Sequence, residues 1–415
     1  MKIAILSDLH LGYRQYGSME REEDFYNQYI ECMTQIKDSN PDMVIIAGDI
    51  FDKPNPSPKA MDVYRQGILL LDGCPVCTIT GNHTMLMREN HYTVDNYFSE
   101  SGIDNYYLID DVIKFEDDLD IIGLIYRSDT DLEDFNDVHK SLKIYQKEDN
   151  IHILVIHQAV KEFCGFTGAE LSINDIDTEG YDLIICGHIH SPLFTEINDG
   201  KTMFLQPGSI ERMNTTEAAD EQSKGKGFFI YDTDQESVFY NPVDSPREFF
   251  IGDIEFNTLE DIETHFDWLN KEVSKKTIPP IVSYNYYDLS GNLVHIRELM
   301  KNVEGVLINN SNLYDLSEEN PSVEISENEI PTVLEALDMI NSDVVKGDSL
   351  QLCKDIFSAY DNDEDDKVEG ILDNFFKKRY ERNQEESIPN ELIEKMEREI
   401  REYEEFVDNL GRKYV

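Results

Sequence analysis

The chain has 415 residues, with 36 Lys and Arg against 85 Asp and Glu, a net charge of −49. At 40% hydrophobic and 10% aromatic content, that length excludes wholesale disorder and suffices for one large core and a smaller second one. No run of about eighteen apolar residues occurs, and the opening Met-Lys-Ile-Ala-Ile-Leu is interrupted by Ser7 and Asp8, so no membrane span or signal peptide is expected and the expected compartment is the cytoplasm.

Along residues 1–190 a short, β-branched apolar run is followed by a polar loop and, in most cases, by a stretch of helical period. Residues 2–6, 43–47, 75–80, 121–124, 151–156 and 182–186 read as buried strands. Residues 21–37, 59–71, 91–101 and 132–146 read as amphipathic helices between them. This βαβ alternation predicts an α/β fold with much parallel pairing. Further strands at 202–206, 227–231 and 237–240 follow with little helix. Pro242 and Pro246 then place a domain boundary near Asp244.

A smaller β-α-β-α pattern occupies 249–256, 259–273, 280–288, 293–301 and 305–310, which fits a second compact domain. Residues 317–328 are polar and acidic and read as a linker. Beyond it the chain is helical and charged. Ile393, Met396, Ile400, Tyr403, Val407 and Leu410 fall at spacings of three and four, a short heptad seam. Those apolar faces are too few for a core of their own and call for a partner. The expected division is 1–244, 245–316, a linker at 317–330, and a helical region at 331–415.

The six cysteines, among them Cys32, Cys77, Cys186 and Cys353 in apolar stretches, do not make a disulfide framework. Cys74 and Cys77 have no second Cys pair to complete a zinc site and read as core residues. The acidity repels nucleic acid unless a local basic face or bound cations intervene. Its plainer reading is adaptation to a salt-rich cytoplasm.

A metal-ligand type stands at the end of nearly every strand of the first domain. Asp8 and His10 follow the first strand, Asp49 the second, Asn82 and His83 the third, His157 the 151–156 run, and His188 and His190 the 182–186 run. Ligands bind at the carboxyl ends of strands in open α/β sheets, so these distant residues should meet at one edge. Five of the ten histidines belong to this set; His91, His139, His152, His265 and His295 lie inside helical or strand patterns and read as structural. Carboxylate, imidazole and amide oxygen without thiolate suit manganese, iron or zinc better than magnesium or calcium. Seven candidates exceed what one ion needs. They fit two ions about 3.5–4 Å apart that share a carboxylate and clamp a phosphoryl centre. The glycines before Asp49, Asn82 and His188 are expected to allow tight turns that aim the ligands inward.

The order Asp-x-His, Gly-Asp-x-x-Asp, Gly-Asn-His, His-Gln, Gly-His-x-His resembles the calcineurin-like metallophosphoesterase superfamily. More closely it resembles the DNA double-strand-break repair nucleases of the SbcD or Mre-eleven family. Ser7-Asp8-Leu9-His10-Leu11-Gly12, Ile156-His157-Gln158, and Gln206-Pro207-Gly208-Ser209-Ile210-Glu211-Arg212 with Lys226-Gly227-Phe228 sharpen the match. The resemblance implies a β-sandwich flanked by helices, a small α+β cap for DNA recognition and a helical tail. It implies that Asp8, His10, Asp49 and His190 hold one metal and Asp49, Asn82, His157 and His188 the other. His83 would be the proton donor to the leaving oxygen, and two manganese ions the cofactors, with iron or zinc as substitutes. The implied activity is hydrolysis of DNA phosphodiesters, as exonuclease and endonuclease.

Two positions depart from the family pattern. Thr84 replaces the usual acidic residue after Gly-Asn-His, which is expected to loosen support for that loop. Asp52 stands where some archaeal relatives have a His linked to exonuclease action. The resemblance also implies a homodimer through helices 59–71 and 91–101. It further implies docking of residues 331–415 on an SMC-like ATPase of the SbcC type, with Ile356, Phe357, Tyr360, Ile371, Phe375 and Phe376 as anchors. Arg14, Lys53, Arg88, Arg212, Lys224 and Lys226, all placed in loops near the motifs, are the candidate phosphate contacts, each with the alternative of a plain solvated charge. Competing readings are a metallophosphoesterase for phosphoproteins or small nucleotides, and a non-catalytic scaffold. No arginine follows Asp49-Ile-Phe-Asp-Lys53, which argues against the first; the complete ligand set argues against the second.

Overall fold

The computed structural model describes residues 1–317 except 86–91, 110–111, 116–118, 128–139, 141, 143–149, 165–170 and 220–224. The helix expected at 132–146, save the helical Lys140 and Leu142, and the whole tail from 331 onward lie outside the described residues. In chain order the elements are β1 (Lys2–Leu6), α1 (Met19–Asp38), β2 (Met43–Ile46), α2 (Pro58–Leu70), β3 (Val76–Thr78), α3 (Val94–Glu100), β4 (Tyr106–Leu108), β5 (Val112–Phe115), β6 (Leu119–Leu124) and β7 (Ile151–His157). There follow α4 (Lys161–Cys164), β8 (Leu183–Gly187), β9 (Leu193–Ile197), β10 (Thr202–Gln206), α5 (Thr215–Ala219), β11 (Lys226–Asp232), β12 (Ser237–Val243), β13 (Phe249–Phe256), α6 (Leu259–Val273), β14 (Ile281–Asp288), α7 (Leu293–Lys301), β15 (Ile308–Asn309) and β16 (Asn312–Asp315).

Two six-stranded sheets carry the first part of the chain, in the orders β12-β11-β1-β2-β3-β4 and β5-β6-β7-β8-β10-β9. Pairing is parallel from β1 through β4 and from β6 through β8 to β10, with β11, β12, β5 and β9 antiparallel at the flanks. Strand alternation divides each apolar run between two cores. Ile3, Ile5 and Ile45 meet Ile121, Ile153, Val155 and Ile185 between the sheets. Ala4, Leu6, Val44 and Ile46 turn outward onto α1 and α2. Ile122, Leu154, Ile156 and Ile184 turn outward on the other side. Strands buried on both faces explain why the runs read as continuously apolar rather than alternating.

Local chemistry sets the helix starts. The Ser18 hydroxyl caps α1, Ser57 caps α2 with Pro58 in its first turn, and Thr93 with Asn96 forms a reciprocal box at α3. The strand expected at 237–240 runs on to Val243 through Pro242, which the sheet tolerates because β12 is an edge strand. Sequence reading passed over β4, β5, β9 and β16. All four are five residues or fewer and stand at sheet edges or pair over only a few residues.

The third sheet comprises β13, β14, β15 and β16, all parallel to β14. Its core of Phe256, Ile262, Phe266, Leu269, Val282, Tyr284, Tyr286 and Ile296 is separate from those of the first two sheets. A buried ionic cluster ties the start of this segment to α1. Both carboxylate oxygens of Asp24 accept from the Arg247 guanidinium, and Asp24 also pairs with the fully buried Arg21. Arg21 reaches the Arg212 carbonyl and lies over the Phe249 ring.

Cys32, Cys77 and Cys186 are buried thiols in no disulfide, and burial pushes the Cys74 thiol up to about 11 and that of Cys77 higher. The Cys-Pro-Val-Cys motif is therefore structural, since no thiolate is available for redox chemistry.

Candidate metal centre

The seven expected ligands and His83 meet at the carboxyl edge of the two sheets. Asp8 and His10 leave β1, Asp49 follows β2, Asn82 and His83 follow β3, His157 closes β7, and His188 and His190 follow β8. Asp8, His10, Asp49 and His188 all have positive φ, at 52°, 43°, 47° and 87°. Non-glycine residues pay for that conformation, and it persists where surrounding contacts over-determine it, commonly at functional sites.

The glycines act differently from expectation. Gly48 has φ of 95°, but Gly81 and Gly187 are not in the left-handed region; they are glycine because other groups come too close. A Cβ on Gly81 would sit 2.2 Å from Asp49 Oδ1, and one on Gly187 would sit 2.0 Å from the Ala47 carbonyl oxygen.

Each carboxylate has one oxygen anchored and the other aimed into the site. Asp49 Oδ1 accepts from the His83 amide at 2.9 Å, while Oδ2 lies 3.2 Å from His157 Nε2 and 4.0 Å from His10 Nε2. Asp8 Oδ2 accepts from the His188 amide, while Oδ1 lies 3.8, 3.9 and 4.0 Å from the Nε2 atoms of His10, His190 and His157. The Asn82 amide oxygen faces His157 Nε2 at 3.1 Å and His188 Nδ1 at 3.0 Å. His10 Nε2 and His190 Nε2 are 3.1 Å apart.

Asp8 Oδ1 is fully buried with no hydrogen-bond partner, and a buried anionic oxygen in that state is costly unless a cation meets it. Ligand atoms cluster in the sets Asp8, His10, His190 and Asp49, His157, His188, each within 4.8 Å. The donor set thus fits divalent metal ions, with Asp49 between the two clusters.

Burial and the neighbouring carboxylates set the charges of the metal-free cluster. Burial lowers the His10 imidazole to about 3, so its nitrogens stay neutral and able to donate a lone pair. Burial also opposes charge on His157, but the adjacent Asp49 carboxylate reverses this and raises it to about 9. Despite its own burial, Asp49 is held well below the usual carboxylate range by His157. The His157 Nδ1 donates to the Ala47 carbonyl at 2.7 Å, which turns Nε2 toward the cluster.

His83 differs from the others. It is about a third exposed, its Nδ1 donates to the Asp52 carbonyl at 2.9 Å, and its ring stands edge-on to His10 at 4.7 Å. It also comes within 4.8 Å of His10 and Asp49.

Thr84 is not a loosened support: its hydroxyl donates to the buried Asp95 at 2.7 Å, so a carboxylate from α3 holds the loop. Lys226 is not a phosphate contact and not in a loop. It lies on β11, 1% exposed, bonded to Glu217, Ser209 Oγ and the His190 carbonyl. Arg14 is half exposed and paired with Glu22, Lys53 is exposed, and Arg212 is partly buried. Arg88 and Lys224 lie outside the described residues. Glu217 was missed, being one acid among 85 with no motif around it.

A two-sheet sandwich with a buried cluster of Asp, Asn and His at one sheet edge is the calcineurin-like phosphoesterase fold, and residues 1–192 match the calcineurin-like phosphoesterase family. Over 246 residues the chain is 30% identical to the DNA double-strand break repair protein Mre11 of Methanococcus maripaludis, covering 56% of this chain and 63% of that one. It is 33% identical over 244 residues to that of Archaeoglobus fulgidus (53% and 52%), and 26% identical over 392 residues to that of Sulfolobus acidocaldarius (90% and 98%). The first two alignments span about half to under two thirds of those relatives' length. The chain is thus similar to calcineurin-like phosphoesterases over residues 1–192 and to archaeal Mre11 proteins over a longer stretch. Among the described residues, no helix is long and apolar enough to cross a membrane.

Proposed function

We propose that this chain is a two-metal DNA nuclease that processes double-strand breaks in the cytoplasm, with manganese in the centre and both exonuclease and endonuclease action. The observation that carries this reading is the placement of Asp49 Oδ2 between His10 and His157 beside the unsatisfied Asp8 Oδ1. Asp8, His10, Asp49 and His190 would hold one ion, and Asp49, Asn82, His157 and His188 the other. Divalent ions there would lower the pKa of a water and offset charge on phosphoryl oxygens.

The chain's own residues supply the rest. The His83 amide and Gly81 fix Asp49, and the Ala47 carbonyl fixes His157. The bond from His83 Nδ1 to the Asp52 carbonyl leaves its Nε2 edge to face a leaving oxygen and deliver a proton there. Beside Asp52 a cavity of about 200 Å³, lined by Leu11, Gly12, Arg14, Glu22, Lys53 and Ser57, offers Lys53 to a neighbouring phosphate, Arg14 being paired with Glu22.

The reading includes a nuclease domain at 1–244, a cap at 245–316, a linker at 317–330 and an ATPase-binding region at 331–415 for an SMC-like partner of the SbcC type. It also includes a homodimer through α2 and α3, on which Leu69 and Tyr97 are large exposed side chains. The test is hydrolysis of linear and hairpin DNA, against a generic phosphate ester, with and without manganese. Manganese-dependent DNA cleavage is expected. Cleavage of the ester alone would favour the small-substrate reading, and cleavage of neither the scaffold reading.

A further inference from the structure

Three buried or part-buried groups from separate parts of the chain meet behind His190. Glu217 Oε1 accepts from His190 Nδ1 at 3.0 Å, and Glu217 Oε2 accepts from Lys226 Nζ at 2.8 Å. The ammonium's other two donors reach the His190 carbonyl at 2.9 Å and Ser209 Oγ at 2.8 Å, so all three are spent. Glu217 is itself fixed: its amide donates to Asn214 Oδ1, and its carboxylate accepts from the Met213 amide and Asn214 Nδ2. The Lys226 side chain is fully enclosed and that of Glu217 is 12% exposed. A charged pair this enclosed is costly to bury and is retained only where its geometry compensates.

Its placement tells what it acts on. With Nδ1 committed to Glu217, His190 has Nε2 turned toward Asp8 Oδ1 and His10 Nε2. The counterpart across Asp49 is different in kind, because His157 leans on the neutral Ala47 carbonyl rather than on a carboxylate. A carboxylate behind a ligating imidazole sets the tautomer and raises its basicity more than a carbonyl does.

We propose that Glu217, braced by Lys226, is a positioning residue that fixes the His190 tautomer and strengthens the ion position formed by Asp8, His10 and His190 selectively over the position of Asn82, His157 and His188. This deepens the metal-centre reading above and rests on it.

The test titrates the full chain and Glu217→Gln with manganese alone by calorimetry, alongside the metal-free melting temperature of each. Wild type is expected to take up two ions. Glu217→Gln is expected to bind one of them about 10–100-fold more weakly and the other unchanged. Two ions bound by the variant at wild-type affinity would overturn the proposal alone; no ion bound by wild type would overturn the metal-centre reading with it.

A second measurement avoids the variant and its folding. In the zinc-loaded wild-type chain with 15N-labelled histidine, His190 is expected to carry its proton on Nδ1 and bind through Nε2. The opposite tautomer would overturn the proposal.

Discussion

Replacing Gly187 by alanine tests whether the sheets must touch at the metal centre. Gly187 ends β8 in one sheet, and Ala47 follows β2 in the other. A Cβ at 187 would lie 2.0 Å from the Ala47 carbonyl oxygen, 2.5 Å from Ser7 Oγ and 2.7 Å from His157 Nδ1. Ordinary contact begins near 3.4 Å, so the carbonyl is about 1.4 Å too close and is backbone that cannot swing aside.

That carbonyl accepts from His157 Nδ1 and from the Ser7 hydroxyl at 2.7 and 2.9 Å. Overpacking costs about 1–3 kcal/mol, and weakening those two bonds costs about 1 kcal/mol each. The sum, about 3–5 kcal/mol, corresponds to a fall of roughly 10 °C in melting temperature for a domain of this size. Displacing His157 should also weaken manganese binding by about 10–100-fold.

Differential scanning calorimetry and manganese titration of Gly187→Ala read both effects. Gly180→Ala is the control: φ is 77° there, nothing lies within 4 Å of the added Cβ, and a loss of only about 1–2 kcal/mol from backbone strain is expected. A Gly187→Ala protein with wild-type melting and wild-type manganese affinity would refute the claim that contact between the sheets builds this site.

His83→Gln should lower kcat on DNA by about 10²–10⁴-fold and leave KM and the number of bound manganese ions unchanged. Loss of an ion would instead make His83 a ligand alongside His10 and Asp49. Asp95 offers a pH test, since burial raises its carboxyl to about 6 from 3.8. Because the folded state holds that proton more tightly, its contribution to stability is fully present below about pH 4 and is lost as pH rises through about 6. At one pKa unit per 1.36 kcal/mol the loss reaches about 3 kcal/mol by pH 8. Chemical denaturation should therefore show Asp95→Asn gaining on wild type by about that amount between pH 4 and 8, and a constant difference would contradict the assignment.

Strand positions and the residues that meet at their ends were legible because each rests on a few neighbouring residues. A β-branched apolar run of four to seven residues ending in Asp, Asn or His carries its own address, and the carboxyl-edge rule then brings the ends together without further information. That reasoning located β1, β2, β3, β7 and β8 and the edge at which the seven candidate side chains meet. It also found α6, β14 and α7 of the smaller sheet, whose periods of 3.6 and 2 are clean. Edge strands such as β9 and β16 escaped it, because half-exposed sequence lacks the apolar contrast on which the reading depends.

From residues alone came the fold class, the edge at which chemistry is placed, and the types of atom offered to a cation, since these follow from local periodicity and side-chain identity. Tertiary structure alone decided which charges pair. Lys226 looked like a free cation until β11 carried it inside to Glu217 and His190. Thr84 looked like a lost support until α3 brought Asp95 to it. Gly187 looked like a turn residue until the Ala47 carbonyl of the other sheet closed on it. Each outcome depends on groups from distant parts of the chain meeting within about 3 Å, a distance that periodicity cannot encode.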